Sequence, residues 1–406
     1  MKDCGLSLFY NLIYQILRFG LLLLAPLLSE KTKRWIELRN NTDIFSQKFE
    51  SKSLRLWIHA SSGEIEYAKG FIREFKRQNP DAQIFVSYSS LSAPNLFKNI
   101  QTEVTAFFPL NWDTTKDNQK LLEFIRPNVL IFSRTDFWLN LIACAHKKSI
   151  PLAAIATNPQ NIFWLKKVCR DFRFLSCVQP DQAQLIKMAL PAVEVQCIPD
   201  TRFDQVFFRL AQKSQIDLPP SKYVTFGSTW PKDETVLKIA TTSLLAKGYS
   251  LIWAPHEMSH AQSLKSDLQN LFPDKKIIFS STYKTDKFDI LIIDRIGILA
   301  DAYRSSKISF VGGSFVQKVH SVMEPLCANN MVIVGPYYQN NPEALEFKKM
   351  KFVQSVENAE GFLEAFAFFE KNENLYPALK KQTELKQGGS EKTVSALIRL
   401  LKTVKS

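Results

Sequence analysis

No Cys-x-x-Cys pair occurs in this 406-residue chain, and its six cysteines keep no zinc-like spacing with its five histidines. That excludes a structural zinc site of the usual spacing. Cys4, Cys144, Cys169, Cys177, Cys197 and Cys327 have mostly apolar neighbours, so they read as buried free thiols in a reducing compartment. No Asp-x-Asp motif is poised to hold a metal ion. No short repeat or low-complexity segment is present, and no aromatic-basic platform of the kind that binds single-stranded nucleic acid. Nucleic acid is therefore not expected as a partner. No small-x-small cleavage site follows the apolar amino terminus, which argues against a cleaved secretory signal.

What the chain does have is length, core-forming residues and positive charge. At roughly 100 to 200 residues per domain, two domains are expected. Hydrophobic residues make up 46%, enough for ordinary globular cores. The formal net charge is +13, split as +8 over residues 1–210 and +5 over the rest. A charge of this sign suits an anionic partner, whether nucleic acid, phospholipid headgroups or a phosphorylated substrate. Neither half is an extreme basic tail, so a solvated basic surface accounts for it equally.

Residues 4–28 form an apolar run long enough to cross about 30 Å of hydrocarbon as a helix. Asn11, Gln15 and Arg18 interrupt it, Pro26 falls near its end, and Lys31, Lys33 and Arg34 follow. Residues 1–30 are expected to be a retained membrane anchor, either spanning or lying in the interface, with a buried core helix as the competing reading.

Beyond it, apolar runs alternate with helical patterns. "LRLWIHA" (54–60), "AQIFVSYSS" (82–90), "VTAFFPL" (104–110), "PNVLIFSRT" (127–135) and "IPLAAIAT" (150–157) read as strands. Residues 64–80 carry helical periodicity, with Ile65, Ala68, Ile72 and Phe75 on one side. Such alternation predicts a parallel sheet covered on both faces. A polar, proline-ended passage, 206–222, is expected as a linker. A second strand–helix series follows it from "YVTFGST" (223–229) to "NMVIVGP" (330–336). The expected organisation is α/β: a Rossmann-like domain over 31–205, a second over 223–385, and an amphipathic helix within 386–406. In open parallel sheets, ligands bind beyond the carboxyl ends of the strands. That rule selects the loops after Ala60, Tyr88, Ser133, Phe226, Ala254, Ile293 and Val311.

Several of these loops carry reactive or anion-binding residues. Glu64, in "HASSGE", follows a strand end and opens a helix. It is either a first-turn acid favoured by the helix dipole, worth about 0.3–1 kcal/mol, or a base at the mouth of a cleft. In "FGSTWPKDE", Gly227, Ser228 and Thr229 could hold a phosphate at a helix start or simply cap it. Gly312, Gly313 and Ser314 form a turn that allows close backbone approach to a ligand. His320 and Glu324 stand four apart, so a helix would put them on one face. His256 begins "HEMSH", which fits the His-Glu-x-x-His zinc pattern letter for letter. Pro255 places it at a helix entrance and no third ligand follows, so zinc is discounted.

In series, "WIHASSGE", "RTDFWLN", "FGSTWPKDE", "IWAPHE", "IIDRIGILADAY", "FVGGSF", "HSVMEP" and "VGPYYQN" resemble the 3-deoxy-D-manno-octulosonic acid (Kdo) transferases of lipopolysaccharide biosynthesis. The resemblance runs over nearly the whole chain. It implies a two-lobed GT-B fold with a cleft between the lobes. It also implies inverting, metal-independent transfer of the sugar from its CMP-activated form to a lipid A precursor at the cytoplasmic face of the inner membrane. Neither a cofactor nor a metal is implied. Glu64 matches the family's catalytic acid, and Asp136 stands where a second acid, usually Glu, is found. Gly312, Gly313, Ser314, His320 and Glu324 match its glycine turn and its His-Asn-x-x-Glu-Pro motif, with Ser321 in place of Asn. Gly227, Ser228, Thr229 and His256 would line the donor pocket, and Glu324 would hold the ribose. The loop before Glu64 is one residue shorter than in most of the family. A different class of function, a membrane-bound nucleotide-sugar-binding homologue without transfer, is the alternative that the same resemblance leaves open.

Overall fold

The computed structural model describes residues 4–49, 53–159 and 161–405. The chain divides into two compact units, Met1–Gln205 with Lys386–Ser406, and Val206–Leu385. Among the described residues each unit is built on one seven-stranded sheet.

In the first unit the strands are β1 (Arg55–His59), β2 (Gln83–Tyr88), β3 (Ala106–Pro109), β4 (Val129–Ser133), β5 (Leu152–Ile155), β6 (Phe174–Cys177) and β7 (Glu194–Cys197). The helices are α1 (Cys4–Leu23), α2 (Glu30–Arg39), α3 (Ile65–Gln78), α4 (Ala93–Phe97), α5 (Thr115–Ile125), α6 (Leu139–Lys147), α7 (Ile162–Val168), α8 (Pro180–Ala189) and α9 (Thr201–Ala211). The expected linker thus opens inside α9. The sheet order is β3-β2-β1-β4-β5-β6-β7, all parallel.

Strand β1 shows why these residues make a buried central strand. Its five residues are all buried, as a strand covered on both faces requires. Leu56 and Ile58 join the core made by Ile65, Phe71, Ile72 and Phe75 of α3. Trp57, pointing the other way, joins Leu121, Leu122 and Ile125 of α5 and Leu141 of α6.

The second unit carries β8 (Lys222–Thr229), α10 (Pro231–Ala246), β9 (Tyr249–Pro255), α11 (Ala261–Leu271), β10 (Ile277–Phe279), β11 (Ile290–Ile292), α12 (Leu299–Ser305), β12 (Ser306–Val311), α13 (Met323–Cys327), β13 (Met331–Val334), α14 (Pro342–Lys349), β14 (Val353–Ser355), α15 (Ala359–Lys371) and α16 (Leu375–Glu384). Its strand order is β10-β11-β9-β8-β12-β13-β14. In both sheets the winding reverses beside the first strand, between β1 and β4 and between β8 and β12. Ligands of doubly wound sheets gather at such points.

The last helix, α17 (Gly389–Lys405), packs back on the first unit. Asp204 of α9 fixes its start by accepting the backbone N–H groups of Gly388 (2.7 Å) and Ser390 (2.6 Å). Val394, Ala396, Leu397 and Leu400 bury themselves in the α3 core. The expectation for this helix, packing, is what its apolar face does.

Two expectations need correction. No helix among the described residues is long and apolar enough to cross a membrane, so an apolar spanning anchor is not present there. α1 is instead two-sided. Asn11 and Arg18, which interrupt its apolar run, dock on the protein together with Tyr10 and Tyr14, while Gln15 is exposed. Tyr10 donates to Asp113 (2.9 Å), Tyr14 accepts the Asp113 backbone N–H (3.0 Å), and Asn11 accepts from Asn140 (3.1 Å). Arg18 lies over the Trp112 ring, 5.3 Å from its centroid. Leu12, Ile16, Leu17, Phe19, Leu23 and Leu24 are exposed. The second correction concerns the thiols. Cys144, Cys169, Cys177 and Cys327 are buried, but Cys197 is exposed, because β7 is an edge strand. The side chain of Cys4 lies outside the described residues.

Truncating Leu397 to alanine is expected to destabilise the first unit by about 2–5 kcal/mol, the usual cost of a buried Leu-to-Ala change. A chemical denaturation curve checks this, and an unchanged midpoint would mean that α17 is not part of that core.

Candidate active site

The loops after β1 and β4 build one hollow in the first unit, about 630 Å³ in volume. Ser61, Ser62, Gly63, Glu64, Tyr67, Ser89, Arg134, Thr135 and Asp136 line it. The backbone is bent hard to make it. Ser62 and Arg134 both take left-handed conformations, with φ of 48° and 64°. Non-glycine residues rarely hold such angles, and where they do the strain tends to mark functional sites.

Glu64 sits at the junction of a short 3-10 turn (Ser62–Glu64) and α3, and its side chain makes no cap on the helix. Ser133 Oγ donates to its backbone carbonyl at 2.7 Å, tying the loop to the end of β4. The helix-capping alternative would lower the Glu64 pKa. Instead burial and then the Asp136 charge push it up to about 7, against the Arg134 charge and a Ser61 backbone N–H. A carboxylate near neutrality is the protonation range that general-base chemistry requires.

Asp136 behaves oppositely in the same hollow. Burial pushes its carboxyl up, but bonds from His59, Trp138 and Ser89 and the charge of His59 outweigh that and hold it down at about 2. His59 is fully buried. Its Nε2 lies 2.9 Å from Asp136 Oδ2 and its Nδ1 2.9 Å from Ser87 Oγ. Ser87 Oγ accepts the Trp57 indole N–H at 2.8 Å. Ser87 and Asp136 thus meet the two ring nitrogens. Trp138 Nε1 is 2.9 Å from the same Nε2, beside the carboxylate. The guanidinium of Arg39, itself buried, rests over the Trp35 and Trp138 rings at 4.8 and 4.4 Å. Glu64 and Asp136 are thus brought together as one acid kept ionised and one poised to titrate.

In the second unit the structure gathers most of the expected donor residues at the β8–β12 switch point, yet commits much of their hydrogen bonding internally. Gly227 is where a side chain would strike buried Tyr303, and its carbonyl accepts the Gly312 N–H at 2.9 Å. Ser228 holds a left-handed φ of 55°, half-buried. Thr229 is buried, accepting from Trp253 (3.0 Å) and donating to Glu234 (3.2 Å). Gly312 packs against the Ser228 backbone, where no Cβ would fit. Gly313, with φ of 89°, and Phe315 donate their N–H groups to Asp233 at 2.8 and 3.1 Å. Ser314 Oγ donates to Val311 O and accepts from Gly335 N. The turn expected to receive a phosphate therefore holds the Asp233 carboxylate.

His256 is exposed and stacked on Trp230 (4.8 Å between centroids) and on His320 (4.3 Å). Trp230 Nε1 donates to His320 Nε2 at 2.9 Å. Burial, then the neighbouring His256 and Lys318, lower the His320 pKa to about 4, so the ring is neutral at physiological pH. His320 and Glu324 do not share a helical face, because α13 starts only at Met323. Glu324 instead accepts from Arg209 at 2.7 Å. The zinc-like "HEMSH" is broken as well: His256 lies before a 3-10 turn (Met258–His260), and His260 bonds Glu234 at 2.9 Å.

Sequence reasoning gave no role to Tyr67, Arg134 or the buried His59, although "WIHASSGE" contains His59 and "RTDFWLN" begins with Arg134. It also missed Asp233, although an acid at the third position of a proline-started helix is a recognisable capping signal. Here Asp233 accepts the Trp230 N–H at 2.8 Å as well.

The chain is similar in sequence and in fold to known proteins. Residues 37–205 match the family described as 3-deoxy-D-manno-octulosonic-acid transferase (kdotransferase). A bifunctional glycosyltransferase/methyltransferase of Fusobacterium nucleatum is 25% identical over 90% of this chain, which spans 59% of that protein's length. The 3-deoxy-D-manno-octulosonic acid transferases of Chlamydia muridarum and Aquifex aeolicus are 25% and 24% identical, over 82% and 75% of this chain and 81% and 84% of theirs. Among solved structures, the UDP-GlcNAc 2-epimerase of Neisseria meningitidis is 14% identical with a TM-score of 0.59, covering 85% of this chain and all of that one. MurG of Acinetobacter baumannii is 10% identical with a TM-score of 0.53, covering 85% and 99%. The likeness shows the fold, α/β and GT-B-like, built in the described residues of this chain on two parallel sheets of seven strands. Residues 37–205 thus carry a match to the Kdo transferase family, and the relatives similar to the rest of the chain are glycosyltransferases.

The raised Glu64 carboxyl has a consequence that needs no substrate. Its folded-state pKa of about 7 exceeds the 4.5 of an ordinary glutamate, so the native state binds the extra proton between those values. Stability therefore falls as pH rises through that window. Glu64→Gln is expected to raise Tm relative to the unsubstituted protein at pH 8 and to give little advantage at pH 5. Equal differences at both pH values would mean that Glu64 titrates normally.

Proposed function

We propose that this protein transfers 3-deoxy-D-manno-octulosonic acid from its CMP-activated form to a hydroxyl of a lipid A precursor, with inversion at the anomeric carbon. The observation that carries the reading is Glu64, a carboxylate held near pH 7 in an open hollow at the switch point of a parallel sheet. The relatives' own activity, transfer of 3-deoxy-D-manno-octulosonic acid, supports the choice of sugar. Glu64 takes the proton of the acceptor hydroxyl as its oxygen attacks the anomeric carbon. The bond from that carbon to the CMP phosphate breaks, and the phosphate leaves with the electron pair. Asp136 stays ionised and keeps Glu64 basic. On the second unit, the exposed face of the His256 stack suits a planar base, and Ser228 offers a hydroxyl. Gly227, Thr229, Gly312, Gly313 and Ser314 shape that surface rather than donate to the ligand. Glu324, which accepts from Arg209, would hold the ribose, as the family resemblance implies.

The acceptor would be reached from the cytoplasmic face of the inner membrane. The exposed apolar side of α1, followed by Lys31, Lys33 and Arg34, suits a helix lying in the interface against anionic headgroups. Replacing Ile16 and Leu23 together by aspartate should weaken binding to anionic vesicles at least about tenfold, because two buried apolar side chains are lost. Sedimentation with vesicles checks it, and unchanged binding would remove α1 from membrane contact.

Catalysis is tested with purified protein, CMP-activated sugar and lipid A precursor in the presence of a chelator, the family resemblance implying no metal. Glu64→Gln should lose about 10²–10⁴ in kcat, the usual share of general-base catalysis. Ordinary turnover by that variant would remove Glu64 from the mechanism. CMP binding without transfer by the unsubstituted protein would favour a nucleotide-sugar-binding homologue. The acid limb of kcat/KM should fall near pH 7. Asp136→Asn, which deletes the like charge, should move that limb to lower pH; a limb that stays put would show that Asp136 does not act on Glu64.

A further inference from the structure

The hollow that holds Glu64 and Asp136 also contains a cation that neither acid neutralises. Arg134 follows β4 directly, its backbone N–H donating to Ile155 O at 2.8 Å. Its left-handed φ of 64° is strained for arginine, so the surrounding structure must hold it there. The guanidinium lies over the Tyr67 ring, 4.5 Å from the centroid. Among the described residues no ion pair joins Arg134 to Glu64 or Asp136, although all three line the same hollow. Arg202 shares the Tyr67 ring at 4.2 Å, but its fork is spent on Asp200, at 2.6 to 3.1 Å. Arg134 keeps its fork for something else. Ser61, Ser62, Ser89 and Thr135 supply hydroxyls around it.

We propose that Arg134 is an oxyanion receptor beside Glu64, gripping a phosphate or carboxylate group of the substrate whose hydroxyl or anomeric carbon reacts there. A planar guanidinium braced on an aromatic ring matches two oxygens of such a group, which a lysine would not. Its charge is one of the influences that lower the Glu64 pKa. An anion seated on it would cancel that influence, so the base would strengthen when its substrate arrives. The identity of the ligand rests on the transferase reading above; the receptor itself rests on the geometry of the hollow. Two groups of that reaction have the chemistry: a phosphate on the acceptor, and the carboxylate of the eight-carbon sugar acid.

Calorimetry on the full chain separates them. The probes are a phosphorylated glucosamine disaccharide, the same disaccharide without phosphate, and the free eight-carbon sugar acid. Arg134→Gln should weaken one of the two anions at least about tenfold, Arg134→Lys less, and leave the uncharged sugar unaffected. Loss for the phosphorylated sugar assigns the acceptor; loss for the sugar acid assigns the donor. Arg134→Gly, which relaxes the left-handed backbone, should keep or raise Tm yet bind anions as poorly as Arg134→Gln, which separates the receptor role from folding. No Arg134-dependent difference with either anion overturns the proposal. Arg134-dependent binding without any sugar transfer would leave the receptor standing and sink the transferase reading. Transfer with no such dependence would do the reverse.

Discussion

Two carboxylates share one half-buried hollow, and with the first ionised the second gives up its proton only near neutrality. Everything functional in the first unit follows from how that conflict is settled. His59, anchored through Ser87 to Trp57, holds Asp136 in its charged form. The cost of the second charge then falls on Glu64. A helix start would ordinarily favour a charged carboxylate there, but burial and Asp136 outweigh it. The fold makes this possible by ending β1 and β4, adjacent in register, at the point where the sheet reverses its winding. Each of the two loops carries a left-handed residue, Ser62 in one and Arg134 in the other.

The second unit repeats the architecture with a different solution. Its switch point is packed by glycines and filled by an internal carboxylate, Asp233, whose three backbone N–H partners replace a ligand. What stays open is an aromatic surface of Trp230, His256 and His320 rather than an anion nest. The two units thus offer different chemistry from one strand–helix plan: acid–base groups on one, a stacking face on the other.

Much of this was legible in the sequence for a physical reason. Strands covered on both faces read as continuous apolar runs, so β1, β4 and β8 announce themselves, and the loops at their carboxyl ends follow. Glu64 and Asp136 lie in those loops, Glu64 picked out by its place after a strand end and Asp136 by the family resemblance. The misses share a cause as well. His59 is the last residue of a buried strand, and only the fold reveals that Ser87 and Asp136 meet its two nitrogens. Arg134 gains its meaning from Tyr67, some sixty-odd positions away, and from a backbone angle that arginine does not advertise. His320 and Glu324 were paired by helical spacing, but the helix starts after His320, so the spacing never applied. The apolar run of α1 concealed a polar stripe that only the docking of Tyr10, Asn11 and Tyr14 exposes.

The central claim is that Glu64 is a carboxyl displaced to neutrality by its surroundings. Carbon-13 NMR of glutamate side-chain carboxyls, with the Glu64 signal assigned by its loss in Glu64→Gln, measures this without substrate or partner. The account predicts a titration midpoint near 7. A midpoint near the ordinary 4.5 would contradict it, whatever activity the protein turned out to have.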